Sequence, residues 1–126
     1  MRAKYKILYV DDEPLNLMLF SRMFNATYDV ITAESGIEGL EILKENQMDV
    51  VLSDMKMPRM NGLEFIEKAK VQYPGILYYI LTGFEITREI KAALNENLID
   101  KYFQKPFDMH EIHECILKGL GEDGSI

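Results

Sequence analysis

The stretch KYKILYVDDEP, residues 4–14, runs an apolar segment straight into three consecutive carboxylates. Residues 5–10 are Tyr, Lys, Ile, Leu, Tyr and Val, a composition suited to a strand. Nearly continuous apolar character, rather than strict alternation, marks a strand covered on both faces, as in a parallel sheet. Asp11, Asp12 and Glu13 then stand at its end. Burying one unpaired carboxylate is costly, and neighbouring carboxylates repel each other. The first strand therefore poses an electrostatic problem that other parts of the chain must answer.

The same kind of run recurs along the chain. YDVITA (28–33), DVVLS (49–53), ILYYILT (76–82) and KYFQ (101–104) read as four further strands. The segments between them carry helix signals. Pro14 suits a first helical turn, with Leu15, Met18, Leu19 and Met23 as the expected inward stripe. Ser35 and Glu38 have the spacing of a capping box ahead of Ile37, Leu40 and Leu43. Asn61 is placed to cap a helix carrying Leu63, Ile66 and Ala69. Ile86, Ile90, Ala93 and Leu94 mark a fourth helix; Asp108 and Glu111 open a fifth, with Ile112, Cys115 and Ile116 facing inward. Five repeats of strand then helix predict right-handed crossovers and a doubly wound α/β sheet. Ligands of such sheets bind beyond the carboxyl ends of the strands.

The bulk composition narrows the function. The 126 residues are 48% hydrophobic and 28% charged, which fits one domain. Fourteen basic against twenty-one acidic residues give a formal charge of −7, so neither nucleic acid nor an anionic membrane is an expected partner. The apolar run at the N-terminus is too short for a membrane span and has no signal-peptide pattern. A single cysteine, Cys115, excludes an internal disulfide framework and suits a reducing cytoplasm. Met55, Met57 and Met60 around Asp54 read as packing residues. A flexible tail is expected over 120–126, where GEDGSI (121–126) is polar and glycine-rich.

The polar residues at the strand ends carry the chemistry. Asp11 and Asp12 end the first strand, Asp54 the third, Thr82 the fourth and Lys105 the fifth. In a parallel sheet these ends share one edge, so the groups converge. Crowded carboxylates become tolerable around a divalent cation, and Mg²⁺ is a hard ion that takes oxygen ligands. Such an ion keeps Asp54 ionised, and an ionised carboxylate is a competent nucleophile toward a phosphoryl group. Lys105 supplies a point charge for phosphate oxygens and Thr82 a hydroxyl donor. Taken singly these residues have plainer readings: Asp11 or Asp12 as a helix cap, Lys105 as a solvated lysine. His110 and His113 lie one helical turn apart beside Glu111 and Glu114, but without a third convergent ligand they read as a solvated face.

VDDEP (10–14), LSDMKMPRMNG (52–62), LTG (81–83) and QKPF (104–107), in that order and spacing, resemble the receiver domain of two-component response regulators. The resemblance runs over residues 4–119. It implies a three-layer (βα)5 flavodoxin-like fold with strand order 2-1-3-4-5. Asp54 would accept a phosphoryl group from a sensor histidine kinase or phosphotransfer protein. Asp11, Asp12, Asp54 and the backbone carbonyl of Lys56 would hold Mg²⁺. Thr82 and Lys105 would contact the phosphoryl group, and Tyr102 would be the switch aromatic that responds to Thr82. The Lys105–Pro106 bond would be cis, and Lys56 and Phe84 would tune the lifetime of the phosphate. Gly62 and Gly83 would leave room for close backbone approach and an open cleft. The output surface would be the fourth helix, fifth strand and fifth helix, through which a homodimer could form. Kinase specificity would lie on the first helix, at residues such as Asn16 and Arg22. Such a domain catalyses only its own phosphorylation and dephosphorylation.

Three other readings compete with this one. The chain could be the N-terminal receiver of a longer regulator with an effector domain, since either form would end after the fifth helix. An aspartate-nucleophile phosphohydrolase would place its nucleophile at the first strand in a D-x-D pattern, but position 13 is Glu. A flavin-binding module would need a Ser/Thr-rich phosphate loop there, where DDEP would repel a phosphate.

Overall fold

The computed structural model describes residues 4–83, 85–106 and 108–121. Strands and helices alternate: β1 (Lys6–Val10), α1 (Pro14–Phe24), β2 (Asp29–Ala33), α2 (Gly36–Glu45), β3 (Val50–Asp54), α3 (Gly62–Gln72), β4 (Leu77–Thr82), α4 (Arg88–Asn95), β5 (Lys101–Gln104) and α5 (Met109–Gly119). The five strands form one parallel sheet in the order β2-β1-β3-β4-β5, the flavodoxin-like arrangement. The order switches between β1 and β3, so the ends of these two central strands flank the crevice where such folds bind ligands.

Side-chain parity along β1 divides the core in two. Leu8 and Val10 pack with Leu43 of α2, Phe65 and Ile66 of α3, and Ile90 and Ala93 of α4. Ile7 and Tyr9 pack on the other face with Leu17, Phe20 and Phe24 of α1 and Ile112 and Ile116 of α5. The sheet is thus covered by three helices on one side and two on the other, which explains the continuous apolar runs in β1 and β3. Among the described residues no helix is long and apolar enough to cross a membrane.

The helices begin where their capping chemistry places them. Asn61 and Glu64 form the complete reciprocal capping box of α3, with both bonds at 2.9 Å. Ser35 caps α2 by accepting from the Glu38 amide, but Glu38 turns its carboxylate to the Glu34 amide at 2.7 Å rather than to that of Ser35. Thr87 and Asp108 cap α4 and α5 in the same manner. In α1, Pro14 occupies the first position and Glu13 is the N-cap residue without a capping side chain.

Several expectations are corrected by packing. Leu15, Met18 and Leu19 lie on the outside of α1, at 59%, 44% and 41% exposure, and the inward stripe is Leu17, Phe20 and Phe24. Helix α1 is apolar around most of its circumference, so two stripes satisfy the helical period, and the larger aromatic one wins the core. Ile37 is likewise exposed. The inward face of α2 is made by Gly36, Gly39 and Leu43, because Met60 Sδ and Phe65 Cβ crowd Gly36 and the Phe65 ring crowds Gly39, filling the space a larger side chain would need. His113 is not on a solvated face: it is half-buried, and its Nδ1 pairs with the Tyr28 hydroxyl at 2.5 Å. Cys115 is half-buried rather than a full core residue. Leu120 closes α5 as its C-cap residue and packs against the α1–α5 core, while 122–126 of the expected tail lie outside the described residues.

Gly62 begins α3 directly under the end of β3. A Cβ there would overlap the backbone oxygen of Asp54 and meet Ile80 Cδ1 at 2.8 Å. Backbone cannot rotate out of the way, so Gly62→Ala is expected to lower stability by about 1–3 kcal/mol in urea titrations. Gly75→Ala, with nothing within 4 Å of the new Cβ, serves as control and should change stability by less than about 0.5 kcal/mol. Equal midpoints for the two variants would contradict the close approach.

Candidate functional site

The carboxyl edge of the sheet gathers the predicted groups. Asp11 follows β1, Asp54 ends β3, Thr82 ends β4, and Lys105 follows β5. Asp11 is wholly buried, Asp54 is 8% exposed and Thr82 2% exposed, whereas Asp12 is open to solvent. Asp11, Asp12 and Asp54 each present a carboxylate oxygen within 4.8 Å of the others. Lys105 Nζ lies 3.0 Å from Asp11 Oδ2 and 3.0 Å from Asp54 Oδ1, bridging the two buried carboxylates. The Lys105 amide donates to the Thr82 carbonyl at 2.8 Å, tying β5 to the end of β4, and the Lys105–Pro106 peptide bond is cis. These groups open into a cleft of about 560 Å³ lined by Asp12, Asp54, Lys56, Met57, Gly83 and Lys105. A Cβ on Gly83 would meet only Lys105 Cδ, at 3.9 Å, so this side of the cleft is open.

Two participants were not read from the sequence as part of this cluster. The Tyr9 hydroxyl donates to Asp11 Oδ2 at 2.5 Å, and Asn16 Nδ2 donates to the same oxygen at 3.2 Å. Asp11 Oδ1 accepts from the Glu13 amide at 3.0 Å. The signal for Tyr9 was its parity: two residues before Asp11 on a strand, it shares that residue's face. The signal for Asn16 was the approach of the first turn of α1 to the strand end it follows.

Tyr102 stands outside the cleft. It is half-buried, aligned with Ile80 of β4, and packs against the core on the α4 side. Phe103 takes the opposite face and packs edge-on against Tyr79, with centroids 5.5 Å apart. Phe84 lies outside the described residues. His110 is exposed and pairs with Glu114 at 3.4 Å, and among the described residues the helical histidines join no ligand cluster.

Asp11 and Asp54 share the Lys105 ammonium with a third carboxylate, Asp12, close by, and the titration behaviour follows from that imbalance. Burial pushes the Asp54 carboxyl above its ordinary range; Lys105 pulls it back in part, and Asp11 and Asp12 push it up again. Burial alone would depress Lys105, but its bonds to Asp11 and Asp54 outweigh that and raise it. The ammonium is thus oversupplied with partners while the Asp54 carboxylate is undersupplied. An oxygen-rich cluster with excess negative charge and one solvent-open member fits a hard divalent cation.

Residues 7–117 match the family model of the response regulator receiver domain. The chain belongs to that family, the receiver module of two-component signalling. It is 38% identical over 112 residues to the transcriptional regulatory protein GlrR of Escherichia coli K12, covering 87% of this chain and 25% of that protein. It is 34% identical over 116 residues to sporulation initiation phosphotransferase F of Bacillus subtilis, covering 91% of this chain and 93% of the relative. The chain therefore spans about a quarter of the longer regulator and nearly all of the shorter protein. Among solved structures it resembles the response regulator TrrA of Thermotoga maritima, determined in complex with Mg²⁺ and BeF, with a TM-score of 0.77 and 28% identity, over 91% of this chain and 98% of that one.

The raised Asp54 pKa has a definite sign for stability. A carboxyl with a raised folded-state pKa contributes stability below its unfolded pKa, and that contribution is lost as pH rises through the folded value. Ionised Asp54 therefore weighs against the metal-free fold at neutral pH. Asp54→Asn is expected to melt above wild type in chelator at neutral pH, with the gap narrowing as pH falls through the carboxylate range. Added Mg²⁺ should raise the wild-type melting temperature more than that of the variant. A variant that melts below wild type in chelator at neutral pH would contradict this balance.

Proposed function

We propose that this receiver domain is a phosphorylation-driven switch whose acceptor is Asp54. The observation that carries the reading is the undersupplied Asp54 carboxylate, facing an open cleft beside Lys105. In the transfer, an Asp54 oxygen attacks the phosphorus of a phosphohistidine. The new P–O bond forms as the P–N bond breaks, and the bonding pair returns to the imidazole nitrogen. Lys105 balances charge on the phosphoryl oxygens, and the Thr82 hydroxyl donates to one of them. Asp11, Asp12, Asp54 and the Lys56 carbonyl are the groups that would hold Mg²⁺. When bound there, the ion would supply neutralisation of the negative charge gathered in the transfer. The Mg²⁺–BeF complex of the TrrA neighbour supports this assignment. Lys56 borders the open side of the cleft, which suits a part in phosphate lifetime.

The phosphoryl donor is read as a histidine kinase or phosphotransfer protein. Leu15, Met18 and Leu19 form an exposed apolar stripe on α1, the helix that starts beside Asp12, and such a stripe suits docking of a partner helix. Output is read on the face of α4, β5 and α5, with Thr82 and Tyr102 relaying occupancy of Asp54 and with a homodimer as one form of it. The chain turns over no external metabolite in this reading. Its place as a module of a longer regulator is supported by its similarity to one part of GlrR. A part in phosphoryl transfer is supported by its similarity to the sporulation phosphotransferase.

Intact-mass measurement after incubation with a small phosphodonor and Mg²⁺ tests the acceptor. Wild type should gain one phosphoryl group, and Asp54→Asn, or wild type in chelator, should gain none. Met18→Glu should label normally with the small donor but at least about tenfold more slowly from a cognate kinase, a loss typical of one interface anchor. Equal phosphate gain in Asp54→Asn would refute the acceptor, and undiminished kinase transfer to Met18→Glu would refute the docking face.

A further inference from the structure

Tyr9 is wholly buried, and a phenylalanine would fill the same space without bringing a hydroxyl into the core. Its ring stacks on Phe20 at 4.3 Å and 17°, and Phe20 stacks on Phe24 at 4.4 Å and 24°. That column holds the ring, so the direction of its hydroxyl is fixed. The hydroxyl meets Asp11 Oδ2 at 2.5 Å, where Asn16 Nδ2 also donates at 3.2 Å and Lys105 Nζ at 3.0 Å. The Glu13 amide holds the other oxygen at 3.0 Å. Asp11 is therefore held by neutral donors from its own strand and from α1, with one cationic donor from beyond β5. An arriving cation competes with Lys105 but has no charge conflict with Tyr9 or Asn16.

We propose that Tyr9 and Asn16 are positioning residues for the cation site, holding the Asp11 carboxylate turned toward Asp12 and Asp54 so that a divalent cation meets a ligand set already arranged. The inference rests on the reading of this cleft as a Mg²⁺ site. Groups that hydrogen-bond and orient a ligating carboxylate commonly govern metal affinity by 10- to 100-fold.

Calorimetric titration of the unphosphorylated chain with Mg²⁺ tests the proposal without reference to phosphoryl transfer. Tyr9→Phe keeps the ring and removes the hydroxyl, and its Mg²⁺ Kd is expected to rise about tenfold. Asn16→Ala lies on a half-buried helical position that leaves the core intact, and it should shift the Kd in the same direction by a smaller factor. That variant decides the matter if Tyr9→Phe does not fold. A Kd in the folded variant that is unchanged, or tighter than wild type, overturns the positioning roles while the Mg²⁺ site itself stands. Failure of wild type to bind Mg²⁺ overturns both readings.

Discussion

The structure turns on one ammonium shared between two buried carboxylates. Lys105 reaches Asp11 and Asp54 at 3.0 Å each, and a third carboxylate, Asp12, stands close by. A buried charge without a partner costs several kcal/mol, so the two aspartates depend on this lysine. Lys105 itself is placed by its amide bond to the Thr82 carbonyl at the end of β4. The ends of β1, β3, β4 and β5 are thus joined by a few polar contacts at the one edge where four separate segments of chain come together. The charge is not balanced there, and that residual imbalance suits the edge to a divalent cation and, in the proposed function, to a phosphoryl group.

The apolar scaffold exists in a form that makes this edge possible. β1 and β3 are covered on both faces, so their terminal residues inherit positions set by two cores rather than by a flexible loop. Gly62 brings the start of α3 against the backbone of Asp54 and fixes how the strand end leaves the sheet. The aromatic stack of α1 continues up to Tyr9 and from there to Asp11 by a hydrogen bond. Core packing and site geometry are therefore not separate layers on this side of the sheet.

Much of this was legible in the sequence. Strand identity followed from dense runs of Val, Ile, Leu and Tyr, and the edge cluster followed from parallel topology once Asp11, Asp54, Thr82 and Lys105 were placed at strand ends. What was not legible depends on choices that periodicity cannot make. In α1 the stripes Leu15–Met18–Leu19 and Leu17–Phe20–Phe24 both satisfy helical spacing, and only the fit of aromatic rings against Tyr9 and Tyr28 decides between them. In α2, glycines rather than Ile37 face inward because Met60 and Phe65, from a later part of the chain, occupy the space beside them. His113 was read as solvated because its partner, Tyr28, lies 85 residues away. Tyr9 was read as a plain strand residue because a hydroxyl's partner is a matter of three-dimensional direction.

The same geometry explains how a local charge event could travel. In the proposed function, a phosphoryl group on Asp54 would add strong acceptor oxygens beside Lys105 and Thr82, both tied to the ends of β4 and β5. Tyr102 packs where β5 meets the α4 side of the core, so a shift of those strand ends has a side chain to move. A bias of a few kcal/mol between two packings of that face is enough to change which partner binds it. Amide hydrogen exchange with and without Mg²⁺ and beryllofluoride tests this most directly. The account predicts altered protection across 85–104, on α4 and β5, as well as around Asp54. Changes confined to the loop after Asp54, with 85–104 unmoved, would contradict it.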